Sequence, residues 1–161
     1  MRLALFEPDI AQNTGTILRL AACLGVGVDL IEPAGFPIGS HAMRRAGMDY
    51  LDHVEMRRHS SFAAFAGWLA GETNARLVLL TTSAARPYTE FTFQDGDILL
   101  LGRESAGVPP EVHRRADARI RIPMRGGMRS LNVAVTAAMA LGEGLRQTGL
   151  FPPDAPRSAS P

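Results

Sequence analysis

An α/β fold in which a mostly parallel sheet is flanked by helices is what the sequence predicts. Strand-like and helix-like segments alternate along the chain, the order expected of a layered α/β domain. Two of the strand-like segments, 77–80 and 98–101, are unbroken apolar runs, as central parallel strands are when both faces are covered. A chain of 161 residues, 46% apolar and 20% charged, is long enough for one domain with a packed core and too apolar for wholesale disorder. Ligands in such sheets are expected at the carboxyl ends of the strands. From pattern alone, under the rule that chains avoid knots, the expected topology is an ordinary doubly wound one.

The elements follow in order. Residues 2–6 alternate weakly and stop at Pro8, which gives a first strand. Ile17, Leu18, Leu20, Ala21 and Leu24 fall at helical spacing and predict a helix over 13–24, with Asn13 or Thr14 as its cap. Cys23, the only cysteine, has no partner for an internal disulfide and is expected to be buried filler in that helix. Residues 26–31 read as a second strand ended by Pro33-Ala34-Gly35, 41–46 as a short helix before Gly47, and 50–54 as a short third strand. Ser60 or Ser61 caps a helix through Phe62, Phe65, Trp68 and Leu69. After the two apolar runs, 118–122 supplies another strand, and 132–147 a last helix carrying Val133, Val135, Ala137, Ala140 and Leu141. Beyond Leu150 the chain is rich in Pro and Ser and is expected to be a disordered tail over 151–161, leaving 1–150 as a single domain.

Composition removes several classes of function. No stretch approaches the roughly 20 apolar residues of a membrane span, and the first strand follows the N-terminus with no signal-peptide pattern, so a cytoplasmic protein is expected. A net charge of +1 says little about partners, because a polyanion needs a local basic surface. All 17 basic residues are arginine, and the pairs Arg44-Arg45, Arg57-Arg58 and Arg114-Arg115 are candidate basic patches. His41, His53, His59 and His113 show no metal-ligand spacing and read as surface or capping residues, so no metal is expected. A G-x-S-x-G elbow is absent, which disfavours a serine hydrolase. A dinucleotide fingerprint would need G-x-G-x-x-G after the first strand, and only Gly15 stands there.

Three segments hold residues that packing alone does not demand. In Asn13-Thr14-Gly15-Thr16-Ile17-Leu18-Arg19, Gly15 permits close backbone approach near a helix start and Arg19 projects more than a turn later; a capped helix with a solvated arginine explains it equally well. In Leu100-Leu101-Gly102-Arg103-Glu104-Ser105-Ala106-Gly107-Val108-Pro109 an apolar strand breaks into a loop with two glycines and an Arg-Glu pair. A glycine there lets a ligand lie against the backbone, and Pro109 suits the first turn of a following helix. The third runs from Ile122-Pro123-Met124 through a glycine loop with Arg125 and Arg129 to Ser130-Leu131-Asn132 at a helix start, where Ser130 and Asn132 also read as caps.

Taken together and in this order, NTGTILR, LLLGRESAGVP and IPM…RSLNVAV resemble the three motifs of the SPOUT superfamily of RNA 2'-O-methyltransferases, over about residues 1–150. Within it, the short length, the FEPDIAQNTG opening and the IEPAGF and RRAGMDY segments look like the tRNA (cytidine/uridine) wobble 2'-O-methyltransferases. The resemblance implies a SPOUT fold with a deep C-terminal trefoil knot, one of the exceptions to the no-knot rule, and a homodimer. It implies S-adenosyl-L-methionine as cofactor, S-adenosyl-L-homocysteine as product and tRNA as partner, with neither a membrane nor DNA. Carried over by position, the cofactor would meet Leu80, Thr81, Gly102, Glu104, Ile122, Met124, Ser130 and Leu131. Leu80, Ile122 and Leu131 would sandwich an adenine whose edge is read by backbone around Gly102 and Met124. Glu104 would hold its loop through backbone N–H groups or pair with an arginine.

The catalytic residues implied are Arg19 and Asn132. Arginine stays protonated in proteins, so holding the phosphate beside the reacting hydroxyl is an easier role for Arg19 than acting as a base. Ser130 and Asn132 would orient substrate or cofactor. Arg103 and Ala134 depart from some relatives. The alternatives are a 2'-O-methyltransferase for another tRNA or rRNA site and a non-catalytic RNA-binding SPOUT protein.

Overall fold

The computed structural model describes residues 1–153, and within them every side chain except those at positions 48 and 49. The predicted disordered tail therefore lies outside the described residues from 154 on. In chain order the elements are β1 (Arg2–Phe6), α1 (Ala11–Leu24), β2 (Gly27–Ile31), α2 (His41–Gly47), β3 (Met56–His59), α3 (Phe62–Leu69), β4 (Arg76–Leu80), β5 (Asp97–Leu101), α4 (Pro110–Arg115), β6 (Ala118–Ile120) and α5 (Val133–Thr148). Short 3₁₀ turns occupy Met48–His53 and Tyr88–Glu90.

The six strands form one sheet in the order β3-β2-β1-β5-β4-β6, and every pairing is parallel. Alternation along the strands sends side chains to two cores. Leu3, Leu5, Val28, Val78, Leu80, Leu99, Leu101 and Ile120 meet Ile17, Leu18 and Ala21 of α1, Met43 of α2, and Ala137, Ala140 and Leu141 of α5. On the opposite face Ala4, Phe6, Ile31, Leu77, Leu79, Ile98 and Leu100 meet Phe65 and Leu69 of α3 and Val112 of α4. The unbroken runs in β4 and β5 have this origin: each is covered on both sides.

Several local expectations change. Helix α1 begins two residues before Asn13, its N-cap is Ile10 with no side-chain cap bond, and Thr14 is buried rather than capping. Cys23 is exposed, because it falls on the stripe that Gln12, Thr16 and Arg19 present to solvent, opposite Ile17, Leu18 and Ala21. Residues 50–54 are not a strand: Met48–His53 is a 3₁₀ turn, packed so that Leu51 fills the space a Cβ on Gly47 would need. The third strand comes later, as Met-Arg-Arg-His.

His59 is buried, not at the surface. Its Nε2 lies 2.8 Å from Asp29 Oδ1, and its ring packs edge-on to Phe65. Asp29 is itself fully buried and also accepts from Arg2 Nε at 2.7 Å. A buried carboxylate needs such partners, since removing one of them leaves a charge uncompensated in the interior. The Arg57 guanidinium stands 4.4 Å over Trp68 and 4.0 Å from Asp29.

Gly15 permits a close backbone approach, as read from the sequence, and what approaches is helix α2. A Cβ there would lie 2.3 Å from the Met43 carbonyl oxygen and 2.8 Å from Ala46 Cβ, so the missing side chain lets α2 press its backbone onto α1. Alanine normally favours a helix over glycine by about 1 kcal/mol. We expect Gly15→Ala to reverse that sign and lower stability by about 1–3 kcal/mol, because backbone cannot yield as a side chain does. The midpoint of urea unfolding measures it.

Candidate cofactor cleft

Strands β4, β5 and β6 end at one edge of the sheet, and the loops leaving them enclose a cleft of about 400 Å³. That volume falls in the range of small-molecule sites, and the position is where open parallel sheets bind ligands. Leu80 and Thr81 come from the end of β4, Gly102 and Glu104 from the loop after β5, and Ile122 and Met124 from the segment after β6. Ser130, Leu131 and Asn132 close the cleft from the loop before α5. Leu80 and Ile122 are 8% exposed, whereas Leu131 is 39% exposed, so the apolar walls face an open rim.

Arg19, in contrast, is not among the lining residues. It sits on the outer face of α1 with its guanidinium 5.1 Å from the Tyr50 ring centre. The structure thus brings together nine of the ten residues singled out from the sequence and leaves the tenth elsewhere in the same chain.

What holds the start of α1, the loop after β5 and the start of α5 in register is a line of hydrogen bonds. Asn132 Oδ1 caps α5, accepting from Ala134 N at 2.8 Å and Val135 N at 3.4 Å. Asn132 Nδ2 donates to Asn13 Oδ1 at 2.9 Å, and Asn13 Nδ2 donates to Glu104 Oε1 at 3.1 Å. Glu104 Oε2 accepts from Asp9 N at 2.9 Å. Every polarity in this line is fixed from its ends. The ionised carboxylate accepts only, so Asn13 turns its amide nitrogen toward Glu104 and its oxygen toward Asn132. Asn132 must then donate to Asn13, which leaves its oxygen for the helix N-terminus and one amide hydrogen unassigned.

Among the described residues Glu104 is therefore neither bonded to its own loop nor paired with an arginine. It ties the loop after β5 to the start of α1. Arg103 takes the acidic partners, Glu7 Oε2 at 3.0 Å and Asp9 Oδ1 at 3.4 Å. Glu7 reaches that position from a left-handed backbone, φ 42°. Asp9 also accepts from the Ser105 hydroxyl and from Ser105 N, the latter at 3.0 Å. The Ser105 hydroxyl, helped by its N–H and by Arg103, holds the Asp9 carboxyl below the usual carboxylate range.

Gly102 has a structural reason too. A Cβ on it would lie 2.7 Å from the Gly107 carbonyl carbon, because the loop doubles back with Arg103 and Gly107 exchanging two backbone bonds of 2.9 Å. Gly107 makes the turn at φ 66°. Pro109 precedes α4 as its N-cap, and Pro110 occupies the first turn. Sequence reasoning missed the parts of Asp9 and Asn13. The available signal was an excess of cap-type residues, Asp9, Asn13 and Thr14, near one helix start that needs at most one. Among the described residues no group of three His, Cys, Asp or Glu side chains stands close enough to hold a metal ion.

A profile of the SpoU rRNA methylase family matches residues 1–142. A tRNA (cytidine(34)-2'-O)-methyltransferase of Beijerinckia indica subsp. indica is 63% identical over 159 residues, 98% of this chain and 99% of its own. Among solved structures, one described as "Structural insights into the 2-OH methylation of C/U34 on tRNA" superposes with a TM-score of 0.85 at 43% identity, over 91% of this chain and 94% of that one. An AdoMet-bound rRNA methyltransferase from Sinorhizobium meliloti superposes with a TM-score of 0.83 at 28% identity, over 90% of this chain and 55% of that one.

In Glu104→Gln the side chain offers one acceptor to two donors, Asp9 N–H and Asn13 Nδ2, and one donor loses its partner. We expect a loss of about 1–3 kcal/mol in urea unfolding. The depressed Asp9 carboxyl stabilises the fold above its unfolded value of about 3.9, and the contribution disappears as pH falls through the lower folded value. Asp9→Asn should accordingly melt below wild type at neutral pH, with the gap narrowing as the pH falls below about 4.

Proposed function

The chain belongs to the SpoU rRNA methylase family, and we propose that it methylates the ribose 2'-hydroxyl of the wobble nucleotide, C or U, of tRNA. The observation that carries this reading is the convergence of residues from all three motifs on one cleft at the strand ends, held there by the Asn132–Asn13–Glu104 line. Its substrate is supported by the near full-length relative named for cytidine 34 and by the solved neighbour described for C/U34.

The cleft fits S-adenosyl-L-methionine by size and lining. Leu80, Ile122 and Leu131 offer apolar walls for an adenine, and the cleft-lining backbone at Gly102 and Met124 offers groups to read its edge without a charged side chain. Thr81 and Ser130 add hydroxyls at the rim. Support for this cofactor also comes from the AdoMet-bound neighbour. When bound, it supplies a methyl group on a sulfonium centre, ready for displacement by an oxygen nucleophile.

The chain's own contribution is positioning. Asn132, fixed on both sides, keeps one amide hydrogen for an acceptor in the cleft. Glu104 maintains the spacing between the loop after β5 and α1 rather than touching the reacting atoms. Arg19 holds the phosphate next to the 2'-hydroxyl through its guanidinium donors and orients that hydroxyl for in-line attack. Because Arg19 does not line the cleft of its own chain, we read the active unit as a homodimer in which Arg19 serves the cleft of the second copy. On the same reading residues 1–150 are one cytoplasmic SPOUT domain whose C-terminal part forms the trefoil knot.

The test is methyl transfer from labelled S-adenosylmethionine to tRNA prepared from a strain lacking the protein, with the product nucleotide mapped. Ribose methylation at the wobble position is expected, and Arg19→Ala should reduce the rate by roughly two or more orders of magnitude with cofactor binding unchanged. Transfer to rRNA alone, or cofactor binding without transfer, would overturn the substrate.

A further inference from the structure

The three arginine pairs singled out from the sequence have different fates. Arg57 and Arg58 are engaged by Asp29, Glu55 and Glu32. Arg115 lies 3.8 Å from Asp117, and Arg114 shares α4 with Glu111. Arg44 donates to the Gly39 carbonyl at 3.0 Å, while Arg45, exposed on α2, makes no hydrogen bond or ion pair among the described residues. Neither α1 nor α2 contains a single Asp or Glu. The Arg44-Arg45 pair is thus the one whose charge is not offset by its own elements.

That charge stands over a hollow. Between α1 and α2 lies a second cleft, about 400 Å³, lined by Gln12, His41, Ala42, Arg45 and Ala46. Contact of the α2 backbone with Gly15 makes the surface of the two helices continuous. Along α1 the residues exposed in the single chain, Gln12, Thr16 and Arg19, succeed one another at intervals of four and three, a stripe whose Arg19 end turns toward the second copy in the proposed homodimer. The same face extends to exposed Tyr50, whose ring backs the Arg19 guanidinium. Arg45, with no ion pair among the described residues, neutral donors beside it and no carboxylate on α1 or α2, makes this hollow complementary to a polyanion.

We infer that this α1–α2 face docks the phosphodiester backbone of the RNA substrate, with Arg45 as its anchoring cation. The inference rests on the reading of the chain as an RNA methyltransferase and adds where the RNA lies. Arg45 makes its contact at Gln12, more than a full helical turn from Arg19 along α1. It contributes affinity, and Arg19 contributes rate.

The experiment compares the full chain with Arg45→Ala, Arg45→Lys and Arg114→Ala, titrating unmodified tRNA across a salt series and S-adenosylmethionine separately. Losing one phosphate contact should weaken tRNA binding roughly tenfold and flatten the salt dependence by about 0.7–0.9 in logarithmic slope. Lysine should restore part of the affinity, Arg114→Ala should bind as wild type, and cofactor affinity should stay unchanged throughout. Equal tRNA affinity and slope in wild type and Arg45→Ala overturns the inference, as does an equal loss in Arg114→Ala. If wild type binds rRNA and not tRNA, the substrate reading falls and the same comparison is read on rRNA: weakening by Arg45→Ala supports the docking face, and none overturns it. No binding to either RNA overturns both.

Discussion

The cleft depends on one line of hydrogen bonds. Three loops from distant parts of the chain meet at the strand ends, and loops left to themselves would hold no common geometry. The Asn132–Asn13–Glu104 line joins them, beginning at the N-terminus of α5 and ending on the backbone N–H of Asp9. Its direction is set by the donors of a helix end on one side and an acceptor-only carboxylate on the other. Neither amide can be flipped without placing like groups against each other, so the line specifies one arrangement of the loops. Asp9, Ser105 and Arg103 reinforce the same junction from its outer side.

The sheet supplies the platform for that junction. Strands β1, β5, β4 and β6 are parallel neighbours, so their carboxyl ends lie at one edge and their following loops emerge side by side. Two glycines set the close approaches that the platform needs. Gly102 gives room for the loop to double back, and Gly15 lets α2 touch α1, which shapes the basic face outside the cleft. The cleft and the basic face thus share α1: Asn13 belongs to the first and Arg19 to the second.

Most of the framework was legible because it rests on periodicity. The apolar runs of β4 and β5 and the spacing within α1, α3 and α5 announce themselves wherever burial alone decides. Ser61 also caps α3 as read, accepting from Ala64 N at 3.2 Å. What escaped depends on pairs far apart in sequence. Strand β3 reads Met-Arg-Arg-His, which no hydrophobic pattern favours; it forms at the sheet edge because Asp29 and Glu32 of neighbouring residues receive its side chains. Tyr50, Leu51 and Val54 suggested a strand by type, yet Leu51 against Gly47 decides for a turn. In the site, motif residues identified the cleft lining, whereas the roles of Asp9 and Asn13 needed contacts across 95 and 91 residues. Arg19, singled out with the cleft residues, lies on the outer face of α1 instead.

On the proposed function, S-adenosylmethionine occupies the cleft at the ends of β4, β5 and β6. Backbone amide NMR of the ¹⁵N-labelled protein during titration with S-adenosylmethionine tests it directly. Shifts should concentrate in residues 79–82, 101–108 and 122–136, with α3 unaffected. Shifts centred elsewhere, or none at saturating cofactor, would contradict it.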